Sequence, residues 1–286
     1  MENPKERLVI IDGDGLAFHS LRETLKESLE ALDDKLFNIF SKTQATQYLL
    51  FISKGKYFRH DIFPDYKKKR QDYVKDKITY VRTLKAVLQD KYAAQYTPHV
   101  EADDLCAYYY TQFCKYPEFV TILSSPDKDL LKNLPSHSPE GHFNYTYKTT
   151  ETEEIIRGWW VDTSKEEANR TFWASMIIGD SSDGIPGLFR KGAKYVDKIF
   201  SPYEAKEQTP NYEEIVFREF IAFFGISQGI FEYQKHYRLL HLFDCDDDFL
   251  REIGEIPPAA LPETVEHINN PFNPSEASGF LNDDNL

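Results

Sequence analysis

Short apolar runs alternate with longer stretches of helical spacing through the first half of the chain. Within residues 7–11, Leu8-Val9-Ile10-Ile11 is apolar at every position, as a strand buried on both faces requires. Residues 16–42 read mostly as helix, and Gln47-Tyr48-Leu49-Leu50-Phe51-Ile52 reads as a second buried strand. Between 74 and 92, Ile78, Val81, Leu84, Val87 and Leu88 recur at helical spacing. Residues 93–100 read as extended. Residues 102–115 read as a helix with Leu105, Tyr108, Tyr109 and Phe113 on its apolar side, and 119–123 as the next strand. Residues 143–149 alternate as a half-exposed strand does. Strands alternating with helices predict an α/β domain with a mainly parallel sheet. From about residue 165 the pattern is helical, over 166–178, 194–200, 213–225 and 229–242. Pro, Asn, Ser and acids dominate 256–286, which predicts a flexible acidic tail.

The 286 residues are 41% hydrophobic, enough for a sizeable core, and carry a formal net charge of -13. An acidic average argues against nucleic acid, whose binders usually show a basic footprint. One segment departs from it. Between Lys54 and Lys91, twelve Lys and Arg stand against five Asp, a local +7 that leaves −20 on the remainder. The three cysteines, Cys106, Cys114 and Cys245, show neither a CxxC spacing nor a disulfide framework. That favours a reducing compartment without structural zinc. The polar N-terminus and the lack of a long apolar stretch predict a soluble, cytoplasmic protein with no membrane partner.

Carboxylates carry the candidate chemistry. Asp12-Gly13-Asp14 follows the first apolar run, and Glu101-Ala102-Asp103-Asp104 opens a helical pattern. Ser125-Pro126-Asp127-Lys128-Asp129 follows the strand at 119–123, and Gly179-Asp180-Ser181-Ser182-Asp183-Gly184 follows a helix end. In open parallel sheets ligands bind beyond the carboxyl ends of the strands, so Asp12 and the Asp127/Asp129 pair are placed to converge. Two like charges 4 Å apart repel by about 4 kcal/mol at an effective dielectric of about 20, so such a site needs a cation. All-oxygen ligation favours magnesium or manganese over zinc, and paired ions favour phosphoryl chemistry. Downstream, Ile185-Pro186-Gly187 leads through Leu188-Phe189 into Arg190-Lys191-Gly192-Ala193-Lys194. This reads as a helix-hairpin turn, with backbone amides near Gly187 and Gly192 facing a phosphate and Arg190, Lys191 and Lys194 adding charge.

Taken in order, these motifs, with Tyr66-Lys67-Lys68-Lys69-Arg70, resemble the 5′-nuclease superfamily over about residues 7–200. That superfamily includes phage and bacterial 5′→3′ exonucleases, flap endonucleases, phage-type RNase H and the 5′-nuclease domain of DNA polymerase I. The resemblance implies a PIN-like catalytic domain over 1–165 with a helical arch at about 54–92. A helical DNA-binding region with a helix–three-turn–helix motif would follow over 166–255, and then the tail. It implies a monomer that cleaves flaps, nicks or RNA–DNA hybrids in phage or bacterial replication, including primer removal, with a single-strand-binding protein as a candidate partner. Two magnesium ions, replaceable by manganese, would sit roughly 4 Å apart. Asp12, Glu101, Asp103 and Asp104 would serve the first, Asp127 would lie between, and Asp129, Asp180 and Asp183 would serve the second. Lys67 and Arg70 would approach the scissile phosphate, with Lys68 nearby, while Tyr66 would stack on a terminal base. The hairpin would hold duplex phosphates and a potassium ion.

Two departures from the family pattern are visible. The family carries an Asp after its second strand, whereas here Phe51-Ile52 is followed by Ser53-Lys54, leaving Asp14 or Asp61 as substitutes. The hairpin has Phe189-Arg190-Lys191-Gly192 in place of a Gly-Ile-Gly turn. The competing readings are a non-catalytic branched-DNA binder with a weakened metal site, and a PIN-type RNase.

Overall fold

The computed structural model describes residues 6–68, 77–150, 155–206, 210–246 and 262–265. The first apolar run forms β1 (Glu6–Asp12), with Leu8 to Ile11 each fully buried. Pleating sends alternate residues to opposite faces, so Val9 and Ile11 enter one core while Leu8 and Ile10 enter another. β2 (Gln47–Phe51) and β3 (Phe119–Ser124) flank β1 in parallel and divide their side chains the same way. Burying each such Leu or Ile contributes about 1.5–3 kcal/mol, which explains why these three strands show in the sequence as unbroken apolar runs.

On one face lie α1 (Gly13–His19), α2 (Leu25–Thr43) and α4 (Ile78–Tyr92). Thr24 and Glu27 form a capping box that starts α2, and Gln44 ends it in a left-handed conformation. The short α3 (Phe58–Ile62) precedes α4, and residues 69–76 between them lie outside the described part. On the other face lies α5 (Ala102–Phe113), followed after β3 by α6 (Lys128–Asn133). Cys106 is fully buried there, as expected of a small core residue, while Cys114 is half-buried.

β4 (His142–Thr149) continues the sheet in parallel beside β3, and β5 (Ile155–Val161) returns antiparallel at the edge. The sequence reading placed no strand at β5. Gly158 interrupts it with a positive φ of 77°, because a Cβ there would meet the Phe143 ring at 2.3 Å. The sheet order is β5-β4-β3-β1-β2-β8, with β8 formed by Glu263–Thr264. Within the segment expected as a tail, β8 pairs antiparallel with β2 at Gln47 and Tyr48, and Val265 packs on the core. The remainder of 256–286 lies outside the described residues.

After α7 (Lys165–Ile178), a two-residue pair, β6 (Gly179–Asp180) and β7 (Ile185–Pro186), makes a tight loop. α8 (Ala193–Glu204), α9 (Tyr212–Phe224) and α10 (Ile226–Leu240) then pack with α7 around Trp173, Met176, Phe200, Val216 and Phe220. The fold is thus the mixed α/β arrangement expected, with a mostly parallel central sheet and a second, helical core.

Candidate active site

Parallel register sets Asp12 opposite Phe51 and Ile11 opposite Ser124, so the carboxyl ends of β1, β2 and β3 share one edge. A cleft of about 600 Å³ opens there. Asp12, Asp14, Ser53, Glu101, Asp103 and Asp127 line it, and Phe18, Ile78 and Val81 give it an apolar side. Ile78 and Val81 share a helical spacing with Leu84, Val87 and Leu88, but not their core face. Those three pack into the core, while the first turn of α4 faces the cleft.

Asp12 ends β1 and caps α1. One carboxylate oxygen accepts the amides of Asp14 and Gly15, each at 3.0 Å, and the other accepts the Ser125 hydroxyl at 2.9 Å. Tyr145 donates its hydroxyl to the Asp12 carbonyl at 2.7 Å. Burial, then repulsion from Asp14 and Asp127, pushes the Asp12 carboxyl up to about 6 despite those bonds. Of the two substitutes for the missing acid after β2, Asp14 reaches the place: its Oδ1 accepts the Ser53 amide at 2.9 Å and the Lys85 ammonium at 2.7 Å. Asp61 does not, being exposed and paired with Lys56. The Ser53 hydroxyl accepts the Ala102 amide at 2.7 Å, so it satisfies the start of α5.

Glu101 stands at the N-cap of α5 without capping it. Its carboxylate instead accepts Arg59 Nη1 at 2.9 Å, the Tyr66 hydroxyl at 2.9 Å and the Lys67 ammonium. Burial alone would raise Glu101, but the Lys67 and Arg59 cations hold it at about 2. Arg59, only 2% exposed, also grips both oxygens of Asp104, with Nη2–Oδ1 at 2.8 Å. Its remaining donors reach the carbonyls of Leu239 and His241, each at 3.0 Å. Donor oxygens of Glu101, Asp103 and Asp104 lie within 4.8 Å of one another. Asp104, expected to serve a metal, is occupied by Arg59, because a fully buried carboxylate must be paired within the protein. Asp103 lines the cleft, and burial together with Glu101 pushes its carboxyl well above the usual range.

The second set gathers beyond β3. Asp127 caps α6, accepting the Asp129 amide at 2.8 Å, while its own amide bonds the Ser125 hydroxyl at 2.9 Å. Burial, then the Asp127 charge, pushes Asp129 up to about 7, with Asp180 and Asp183 adding to the repulsion. Asp180 accepts the Ser182 amide at 2.7 Å and lies 3.4 Å from Lys128. Against burial, the Ser182 bonds and Lys128 hold it at about 2. The Asp183 carboxylate accepts the Tyr66 hydroxyl at 3.1 Å and has Lys67 3.8 Å away, and its carbonyl accepts the Lys67 amide at 2.9 Å.

The basic candidates divide. Lys67 lines the cleft, held by Glu101 in a left-handed backbone conformation at φ 54°. Arg70 lies outside the described residues. Lys68 is exposed and paired with Asp65 at 2.9 Å. Tyr66 is not the expected stacking surface: its ring is 2% exposed, because its hydroxyl is shared between Glu101 and Asp183. Where a hairpin was expected, Arg190 and Lys194 are exposed beside Gly192, which precedes α8 without a side-chain cap. Lys191 pairs with Glu219. Gly187, expected to present its amide to a phosphate, has a packing role: a Cβ there would lie 2.1 Å from the Ile178 carbonyl oxygen. Sequence reasoning missed Arg59, Ser125, Tyr145 and Lys85 as parts of the site. Of these, Ser125, inside an acid motif, offered the clearest signal.

Carboxylates of Asp12, Asp14, Glu101, Asp103 and Asp127 line the cleft beside the rings of His19 and His60, and desolvation raises the Asp12, Asp103 and Asp129 carboxyls. A hard divalent cation fits that set. The sequence matches the family described as 5′-3′ exonuclease, N-terminal resolvase-like domain, over residues 7–156. The flap endonuclease Xni of Shewanella pealeana is 26% identical over 207 residues, 70% of this chain and 77% of that protein. A 5′-3′ exonuclease of Buchnera aphidicola is 31% identical over 163 residues, so the chain spans about half of that relative, 54%. The bacteriophage T5 flap endonuclease, solved with DNA and metal ions, superposes with a TM-score of 0.54 at 17% identity, covering 82% of this chain and 99% of the phage protein. Because the family match takes in just over half of its length, the chain belongs to the 5′-3′ exonuclease family of nucleases.

Proposed function

We propose that the chain is a structure-specific 5′-nuclease that hydrolyses phosphodiester bonds 5′→3′ at DNA flaps, at nicks or in RNA–DNA hybrids, using two divalent cations. Magnesium, with manganese as a substitute, fits the donors. The observation behind this reading is a cleft at the carboxyl edge of the sheet lined by Asp12, Asp14, Glu101, Asp103 and Asp127, with Asp129, Asp180 and Asp183 gathered beyond β3, and with Asp12 and Asp129 pushed well above their usual range. Asp12, Asp103 and Asp127 would hold the first ion, with Glu101 behind them, and Asp127, Asp129, Asp180 and Asp183 the second. Bound there, the ions would supply a hydroxide nucleophile at neutral pH and stabilise the leaving oxygen.

The chain's own residues orient the rest. Arg59 and Lys67 fix the Glu101 carboxylate. Lys67 would meet the scissile phosphate, with Arg70 following it in sequence. Phe18, Ile78 and Val81 offer an apolar wall for bases of a single-stranded end. Arg190, Lys194 and the amides at the start of α8 would hold duplex phosphates, which selects by structure rather than by sequence. A potassium ion at this hairpin and a role in primer removal during bacterial or phage replication belong to the same proposal.

The test is cleavage of a 5′-labelled flap duplex with magnesium, against EDTA and calcium controls. Magnesium-dependent product near the junction supports the reading. Tight binding without cleavage, in manganese as well, would make the protein a branched-DNA binder instead.

A further inference from the structure

Lys85 lies on α4 inside the cleft, its side chain 20% exposed, and no step above uses it. Its ammonium donates to Asp14 Oδ1 at 2.7 Å and to the Ser53 carbonyl at 3.0 Å. The same Asp14 oxygen accepts the Ser53 amide at 2.9 Å. Three separate pieces of chain therefore close on one carboxylate: α1, the residue pair after β2, and α4. A carboxylate oxygen offers two lone-pair sites, and both on Asp14 Oδ1 are taken. A divalent ion bound through the other oxygen would stand a few ångströms from a fixed ammonium and be repelled by it. Asp14 is two residues from Asp12 in the same turn and lines the same cleft, so position alone would recruit it as a ligand.

We propose that Lys85 is a resident counter-ion that keeps Asp14 out of the metal set, so that the first divalent ion binds through Asp12, Asp103 and Asp127 while the Lys85–Asp14 pair acts as a neutral wall. Lys85 is on this view a positioning residue, and the inference rests on the metal-dependent reading of the cleft. The pair sits beside Ser53, where the family pattern has an acid, and it occupies that corner with a balanced pair instead of an added negative charge.

The test uses manganese alone, without DNA, on the full chain. Anomalous diffraction from crystals soaked in Mn²⁺ locates the ions, and electron paramagnetic resonance of free Mn²⁺ gives the affinity. In the wild type the ions are expected on Asp12 or Asp127 and not on Asp14. In Lys85→Met, Asp14 becomes a ligand and affinity rises about tenfold or more. The double variant Lys85→Met with Asp14→Asn removes the pair at constant net charge and should stay within about threefold of the wild type. Mn²⁺ bonded to Asp14 in the wild type overturns the inference even if Lys85→Met fails to fold. So does a double variant more than about tenfold weaker than the wild type, which would mean that Asp14 was already a ligand. Wild-type binding with no gain in a folded Lys85→Met defeats the inference and spares the metal reading. No Mn²⁺ bound by any variant defeats both.

Discussion

Around Glu101 and Asp104, buried carboxylates are matched by Arg59 and Lys67, and Glu101 stays ionised down to about 2. Asp12 and Asp129, at the same sheet edge, are ion-paired with no Lys or Arg among the described residues, and burial drives them up to about 6 and 7. Both groups are acid clusters in the sequence. In one, the protein supplies the cations and gains a rigid corner. In the other it leaves charge unbalanced, which is the condition for holding an exchangeable ion. Asp103 lies in the first motif but behaves like the second group, since it faces the cleft.

The widest break would come at Asp127, which the proposed reading sets between the two ions. Asp127→Ala should lower cleavage by about a thousandfold or more with DNA binding largely kept. Unchanged turnover would mean that the unbalanced group is not the reactive one. Arg59→Met tests the balanced corner. It leaves buried Asp104 without its cation and Glu101 with Lys67 alone, and should cost about 3–5 kcal/mol in urea unfolding. A loss under about 1 kcal/mol would show that Arg59 is not what balances them. Lys67→Ala should slow single-turnover cleavage by about a hundredfold, whereas a rise in KM alone would assign Lys67 to positioning.

The smallest effect is in pH. Folded Asp12 and Asp129 keep their protons to about 6 and 7, whereas in the unfolded chain they lose them near the usual 3.8. Between those values the folded state binds more protons, so metal-free stability should fall as pH rises from about 4 to 7. Glu101 and Asp180 work oppositely. Their contribution is present above their usual values and is lost as pH falls toward 2. Metal-free melting should therefore peak near pH 4–5 and drop by a few degrees at pH 8, with saturating magnesium abolishing the drop. A flat metal-free profile would erase the contrast between the two groups.

The three central strands were legible because burial on both faces demands apolar residues at consecutive positions. β5 was not, because Gly158 and Arg157 break its run and the strand depends on Phe143 filling the glycine's empty side. The carboxylates were legible as a set, but their division was not. Arg59 counts in the sequence as one charge in a basic segment, and its partners Glu101 and Asp104 lie 42 and 45 residues away. Burial of Tyr66 likewise depends on Asp183, 117 residues distant. Long-range pairing of this kind is set by topology, and local spacing carries no trace of it.

Arg59 also ties two parts of the molecule through one planar group. Its guanidinium is bonded at once to the acids of α5 and to the carbonyls ending α10. Twisting the helical region against the sheet would tear charged hydrogen bonds from a side chain that water does not reach. The two parts should therefore ride together as a single block, with no hinge opening between them.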